Sequence, residues 1–292
     1  MTRARAACSV IVVVSGAWLA AAAQDGATFR VRTDLVTVGV SVRENGRPLP
    51  GLQAKDFEIR DNGVRQDVVS LTYETFPIDV TVALDVSESV TGALLEQMRR
   101  AIGQLGADLQ ANDRLKLLTF NMRVRRLVHF TERRDGADAA LARARAVGST
   151  SLIDTLAVAL VAPPQPDRRQ LVLLFSDGLD TSSVTDRPTI VELAKHSAAT
   201  ASFVLPASGM TVGSSRALYD QLAAETGGVV VGMQPRDDLG PTFRRVLTEF
   251  RSSYVLHFAP KGVQPGGVHA LEVQVDRRSA DVRARRGYAW KQ

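Results

Sequence analysis

The sequence predicts an α/β fold: a doubly wound, mostly parallel sheet inserted in a small β-sandwich-like domain made of N- and C-terminal strands. Three observations predict it. Between residues 77 and 251, apolar strand-length runs alternate with amphipathic helical stretches, as in parallel strands joined by crossover helices. Residues 24–76 show period-two alternation punctuated by turn signals, and strand patterns return over residues 252–292. Each flank is too small to hold a core alone, so the two are expected to pair. A chain of 292 residues, 45% hydrophobic and 23% charged, has apolar matter enough for such a body.

Residues 1–23 read as an export signal. Arg3 and Arg5 give a positive start, Ala7 to Leu19 an apolar stretch, and Ala21-Ala22-Ala23 a small-residue cleavage site before Gln24. The stretch is short and Ala-rich for a membrane span, which needs about 20 apolar residues. A periplasmic or extracellular destination is therefore expected. The one cysteine, Cys8, lies inside this leader, so the mature chain would carry neither thiol nor disulfide. The formal charge is +5, yet no basic run is interleaved with aromatics. The densest cluster, Arg277, Arg278, Arg283, Arg285 and Arg286, alternates with apolar residues as an exposed strand face would. Nucleic acid is not an expected partner.

The elements follow in order. Leu35 to Val42 alternates as a half-buried strand, Asn45-Gly46 turns the chain, Phe57 to Arg60 is strand-like, Asp61-Asn62-Gly63 a turn, and Gln66 to Tyr73 completes a small β unit. Ile78–Leu84 is an apolar run of buried-strand length. Thr91–Leu109 sets Leu94, Leu95, Met98, Ile102 and Leu105 on one helical face. Arg114–Phe120 is a strand and Val124–Phe130 an edge strand. Asp135–Ala146 and Ser151–Leu160 are helical, Gln170–Phe175 a central strand, Pro188–Ala198 a helix and Ala201–Pro206 a strand. Ser214–Thr226 is a helix stopped by Gly227-Gly228, followed by a short strand and a last helix to Arg251. Tyr254–Phe258, Ala270–Val275 and Asp281–Arg286 are strands, the first two joined by a hairpin loop at Gly262–Gly267.

The candidate site begins at Asp85-Val86-Ser87-Glu88-Ser89, at the C-terminal end of the first apolar run. An aspartate and two hydroxyls at alternate positions can aim three hard oxygens at one point, the beginning of a Mg²⁺ site. Gly148-Ser149-Thr150-Ser151 and Phe175-Ser176-Asp177-Gly178 can complete it, since ligands in doubly wound folds bind at the C-terminal ends of the strands. Asp85, Ser87, Ser89, Thr150 and Asp177 offer two carboxylates and three hydroxyls. This all-oxygen set suits Mg²⁺, Mn²⁺ or Ca²⁺ over zinc and leaves a position for an outside ligand. Ser149 and Ser151 flank Thr150, and either neighbour can be the hydroxyl in use. Asp85 alone would serve equally as a helix cap. Glu88 reads as solvated, Asp180 as a loop-turn residue and Asp154 as a surface or capping residue of its helix. The four histidines have no metal spacing, and Tyr288 and Trp290 read as packing of the β segments.

The three segments, in this order, resemble the metal-ion-dependent adhesion site of von Willebrand factor type A domains, which are Rossmann-like. The resemblance covers about Ile78 to Arg251. The flanks, Lys55-Asp56-Phe57-Glu58-Ile59-Arg60-Asp61-Asn62-Gly63 and Tyr254 to Tyr288, are similar to a bacterial secreted group within that family, frequent in Acidobacteria. The resemblance implies that Ser87, Ser89 and Thr150 are direct or near-direct metal ligands. It implies that Asp85 and Asp177 bind directly or through water, and that a partner's Asp or Glu completes the shell.

These readings favour an exported, metal-dependent protein-binding module over an enzyme. A phosphatase of the aspartyl type wants a second Asp two residues after its nucleophile, and here that residue is Ser87. Neither a Gly-x-Ser-x-Gly elbow nor a Walker-type Gly-Lys loop is present. The alternative is a structural envelope subunit whose site is vestigial or only stabilises the fold.

Overall fold

Strands that bury alternate residues need a second layer to cover them, and in the computed structural model two antiparallel sheets cover each other. Residues 35–290 are described, apart from 75, 91, 133–135, 166, 177–178, 207–212 and 235. The leader assigned to residues 1–23, with Cys8, lies outside the described residues. In the first sheet, β1 (Val36–Glu44) lies between β12 (Tyr254–Phe258) and β14 (Ala280–Ala284). β5 (Val68–Tyr73) flanks β12, and β2 (Arg47–Pro48) pairs beside β1. The second sheet runs β15 (Gly287–Trp290), β13 (Gly267–Val275), β3 (Phe57–Asp61), β4 (Val64–Gln66). Val38, Val40, Val42, Ile59, Tyr254, Leu256 and Phe258 form the core between them. The Asn45-Gly46 and Asn62-Gly63 turns both place their two residues at positive φ, as two-residue hairpins of this chemistry do.

Within the β unit that Gln66 to Tyr73 completes, Gln66 ends β4, Val68 starts β5, and the chain changes sheets at Asp67. One strand connection changes. The loop at Gly262–Gly267 does not close a hairpin. Both edges of β12 are taken, by β1 and β5, so the next strand crosses to the other sheet and pairs with β3 and β15. Tyr288 does pack inside the sandwich, where its hydroxyl donates to the buried Asp61 at 2.7 Å.

Between these flanks runs a six-stranded sheet of order β11-β10-β9-β6-β7-β8. Its strands are β6 (Ile78–Asp85), β7 (Arg114–Phe120), β8 (Val124–Thr131), β9 (Arg169–Phe175), β10 (Thr200–Pro206) and β11 (Val230–Met233). All pairs are parallel except β7 with β8, the edge strand. One face packs on α1 (Gly92–Asp108), α2 (Ala137–Leu141) and α6 (Leu239–Arg251), the other on α3 (Leu152–Leu160), α4 (Arg187–His196) and α5 (Gly213–Thr226). Alternation along β9 shows why both faces need cover: Leu171, Leu173 and Phe175 belong to one core, Val172 and Leu174 to the other. The helix expected over Asp135–Ala146 shrinks to the five residues of α2. No helix among the described residues is long and apolar enough to cross a membrane.

β6 is buried at every position, including Asp79 near its start. The Asp79 carboxylate, 1% exposed, accepts from Arg114 Nε at 2.8 Å and Arg168 Nε at 2.6 Å. Asp79→Asn leaves two guanidiniums at the base of the sheet without their carboxylate. It is expected to cost about 3 kcal/mol, read as a lower urea midpoint with unchanged slope.

Candidate metal centre

β6 and β9 are neighbours, and the strand order reverses between them: from β6 the chain proceeds to β7 on one side, then returns to β9 on the other. The crevice at such a switch point is where a doubly wound sheet presents ligand groups. Asp85 ends β6 there and is fully buried. Its Oδ1 accepts from Ser87 N–H at 2.9 Å, drawing the following turn inward, and its Oδ2 accepts from Ser176 Oγ at 2.7 Å. The second bond ties the end of β9 to the end of β6. Ser87 Oγ lies 3.1 Å from Ser89 Oγ. Asp177, next after Ser176, lies outside the described residues.

Backbone bonds lace the second loop to the first. Glu88 N–H donates to Gly148 O at 3.0 Å and Val147 N–H to Val86 O at 3.0 Å. Gly148 has φ +82°, which a side chain would strain, and Met122 Sδ lies 3.5 Å from where its Cβ would stand. Thr150 is then held by the third loop. Its N–H donates to Thr181 Oγ1 at 2.9 Å, while its carbonyl accepts from Thr181 N–H at 2.9 Å and Ser182 N–H at 3.1 Å. Ser151 Oγ is committed to Asn121 O at 2.6 Å, whereas Thr150 Oγ1 makes no hydrogen bond to the described residues. Ser87 and Thr150 are buried, and Glu88 and Ser89 are exposed, so the centre opens on the Ser89 side. Among the described residues no three His, Cys, Asp or Glu side chains gather in a metal-binding group; this centre is built on hydroxyls.

The start of α3 is capped from a distance. Ser151, at the N-cap position, supplies no side-chain bond. Asp180 Oδ1 accepts instead from Leu152 N–H at 2.8 Å and Ile153 N–H at 3.2 Å. Asp154, in the first turn, accepts from Val184 N–H at 3.0 Å and Thr185 N–H at 2.9 Å. Desolvation pushes the Asp154 pKa up, but bonds from the Thr185 side chain and the Val184 and Thr185 backbone outweigh it and hold the carboxyl below its ordinary range. Its contribution to stability is thus present above the unfolded value and lost as pH falls through the lower folded one.

Sequence reasoning named the three loops and missed the residues that fasten them: Ser176, Asp180, Thr181 and Asn121. Ser176 stood inside a quoted motif. Asp180 gave no capping signal because the helix it caps begins 28 residues earlier.

Residues 80–180 match the family described as von Willebrand factor type A domain. The chain carries a von Willebrand factor type A domain. Solved structures share its fold at low identity. Proximal thread matrix protein 1 from the mussel byssus, in a structure with a zinc-occupied MIDAS motif, is 12% identical, with a TM-score of 0.51 over 64% of this chain and 48% of its own. The conserved hypothetical protein BatB from Bacteroides thetaiotaomicron is 15% identical, with a TM-score of 0.48 over 59% of this chain and 98% of its own. A von Willebrand factor type A protein from Catenulispora acidiphila, 14% identical, matches over 88% of this chain and 75% of its own with a TM-score of 0.49. No curated protein matches the chain.

Removing the borrowed cap tests how the domain holds its third loop. Asp180→Ala is expected to cost about 1–2 kcal/mol in chemical denaturation, and Asp180→Asn, which keeps an acceptor, to recover most of it. Equal losses in both would mean that the charge, not the cap bond, matters.

Proposed function

We propose that this chain is an exported, divalent-metal-dependent protein-binding module whose metal centre holds a carboxylate of the partner. The observation that carries the reading is the pair of hydroxyls beside a buried carboxylate. Mg²⁺ holds six oxygens at about 2.1 Å, which sets adjacent ligands about 3.0 Å apart. Ser87 Oγ and Ser89 Oγ stand 3.1 Å apart, the spacing of two neighbouring ligands. Thr150 Oγ1, uncommitted to the described residues, is the third hydroxyl. Asp85 and Asp177 would act directly or through water. Asp85 Oδ1 accepts from Ser87 N–H and its Oδ2 from Ser176 Oγ, which aims the carboxylate at the crevice between the loops. The mussel protein's zinc-occupied motif supports a site of this kind without fixing the ion here.

When bound, the ion supplies positive charge at an opening lined by neutral hydroxyls, which attracts an Asp or Glu side chain. The chain's own residues hold the ion and orient it. Hydroxyls occupy the positions where a hydrolase would place a base, which favours holding over reacting. Export rests on the leader composition of residues 1–23. The loops are laced by bonds that need no metal, which speaks against an ion that serves only to stabilise the fold.

Isothermal titration with Mg²⁺ and Mn²⁺, with and without acetate as a stand-in carboxylate, tests this. One-site binding is expected, lost in Asp85→Ala and Thr150→Ala while circular dichroism shows both variants folded, Asp85→Ala with a lower unfolding midpoint for its lost buried bonds. Absence of binding with acetate present, or variants that bind like wild type, would sink the reading. Unfolded variants would instead show that these residues belong to the core.

A further inference from the structure

The opposite end of the parallel sheet holds a second polar feature. Between the N-terminal ends of β9 and β10 and the outer face of β1 lies a crevice of about 200 Å³, lined by Arg168, Arg169, Gln170, Thr37, Thr200 and Arg285 among others. It would admit about six waters at roughly 30 Å³ each. Arg168 is paired with Asp79. Arg169 and Arg285 have no carboxylate within ion-pair distance among the described residues; both are held by neutral groups. Arg169 donates through Nη1 to Phe250 O and through Nη2 to Ser253 Oγ, each at 2.8 Å, and its guanidinium stacks 3.9 Å from the Phe250 ring centroid. Arg285 donates to Gly287 O and, at 3.1 Å, to Lys195 O.

Each guanidinium has five N–H donors and gives two to the described residues, which leaves six between them toward anything else. Phe250 and Lys195 lie in the last turns of α6 and α4, whose dipole ends offset about half of each positive charge. About one net positive charge is left. Burial lowers the pKa of both groups to about 10, with Arg251 adding repulsion at Arg169 and Glu225 opposing the fall at Arg285. The forks are fixed in advance. Arg169 N–H donates to Pro77 O, and the Arg285 backbone lies so close to Gly227 that a Cβ there would stand 2.9 Å from Arg285 N. The strand-face reading of this cluster fails: Arg277, Arg278 and Arg286 are exposed but lie in turns between strands, Arg283 on β14 is half-buried against Glu249, and Arg285, in the link between β14 and β15, turns into the crevice.

We infer that this crevice is a binding site for a phosphate group, held by the guanidinium forks of Arg169 and Arg285 and bridging the parallel sheet to the sandwich. Planar forks match tetrahedral oxyanions two bonds at a time. The group is either the free ion or an ester. The site is independent of the metal centre at the other end of the sheet.

Thermal unfolding of the intact chain in chelator, with inorganic phosphate against chloride at equal ionic strength, is the test. Saturating phosphate is expected to raise the Tm by roughly 5 °C. Arg285→Gln should abolish the shift. Thr37→Glu, which sets a carboxylate at the mouth of the crevice, should abolish it too while leaving the chain at least as stable, so a folding defect in the arginine variant does not decide the matter. A parallel titration with glycerol phosphate separates the sources: tighter binding of the ion assigns a free-phosphate site, tighter binding of the ester a phosphorylated ligand. Equal melting in phosphate and chloride, or an undiminished shift in Thr37→Glu, overturns the proposal.

Discussion

The structure depends on the complete burial of β6. Eight consecutive positions lie inside, with a hydrogen-bonded strand on each side and a helical layer on each face. A carboxylate is costly in such a place unless its lone pairs are answered. The two aspartates of the strand accordingly sit near its ends, where loops supply partners. Asp79 draws in arginines from β7 and from the residue before β9. Asp85 takes a backbone N–H and a serine hydroxyl. One strand thus sets a strongly ionic base and a hydroxyl-rich top, and the polarity of the whole sheet follows from the difference.

The top is stiff because its loops hold one another. The turn after β6 leans on Gly148, Thr150 on Thr181, and the start of α3 on Asp180. Groups already fixed lose little freedom when a ligand arrives, which is what a centre assembled from three separate chain segments requires. The same bonds place the hydroxyls without asking an ion to gather them.

The sequence carried the fold where a local pattern controls it. Val36 to Val42 must show one face inward, and apolar residues on both faces of β6 and β9 admit only a sheet covered on both sides. The centre was legible in Asp85, Ser87 and Ser89 because their spacing is itself the geometry. What escaped were decisions made by occupancy elsewhere. Nothing near Gly262 tells that β12 already has two neighbours, and nothing near Asp67 tells that the two sheets exchange the chain there. Likewise the alternation around Arg285 suggests a strand face, whereas the residue sits in the link between β14 and β15 and its surroundings are not local. Those are set by Gly227 and by the ends of two helices from the other part of the chain.

The interrupted sandwich also fixes an order of events. Val38 stands opposite Leu256 and Ile59 opposite Val273, so the first strands made wait for the last before they pair. The six strands of the α/β body between them pair only with one another and can close while the flanks are still open chains. Contacts of such long sequence separation slow folding and leave unpaired strand edges exposed meanwhile. A chain truncated before β12 would therefore keep its three candidate-site loops yet carry β1 as an unpaired edge, and aggregation during synthesis, more than loss of those loops, would be the first sign of damage at the C-terminus.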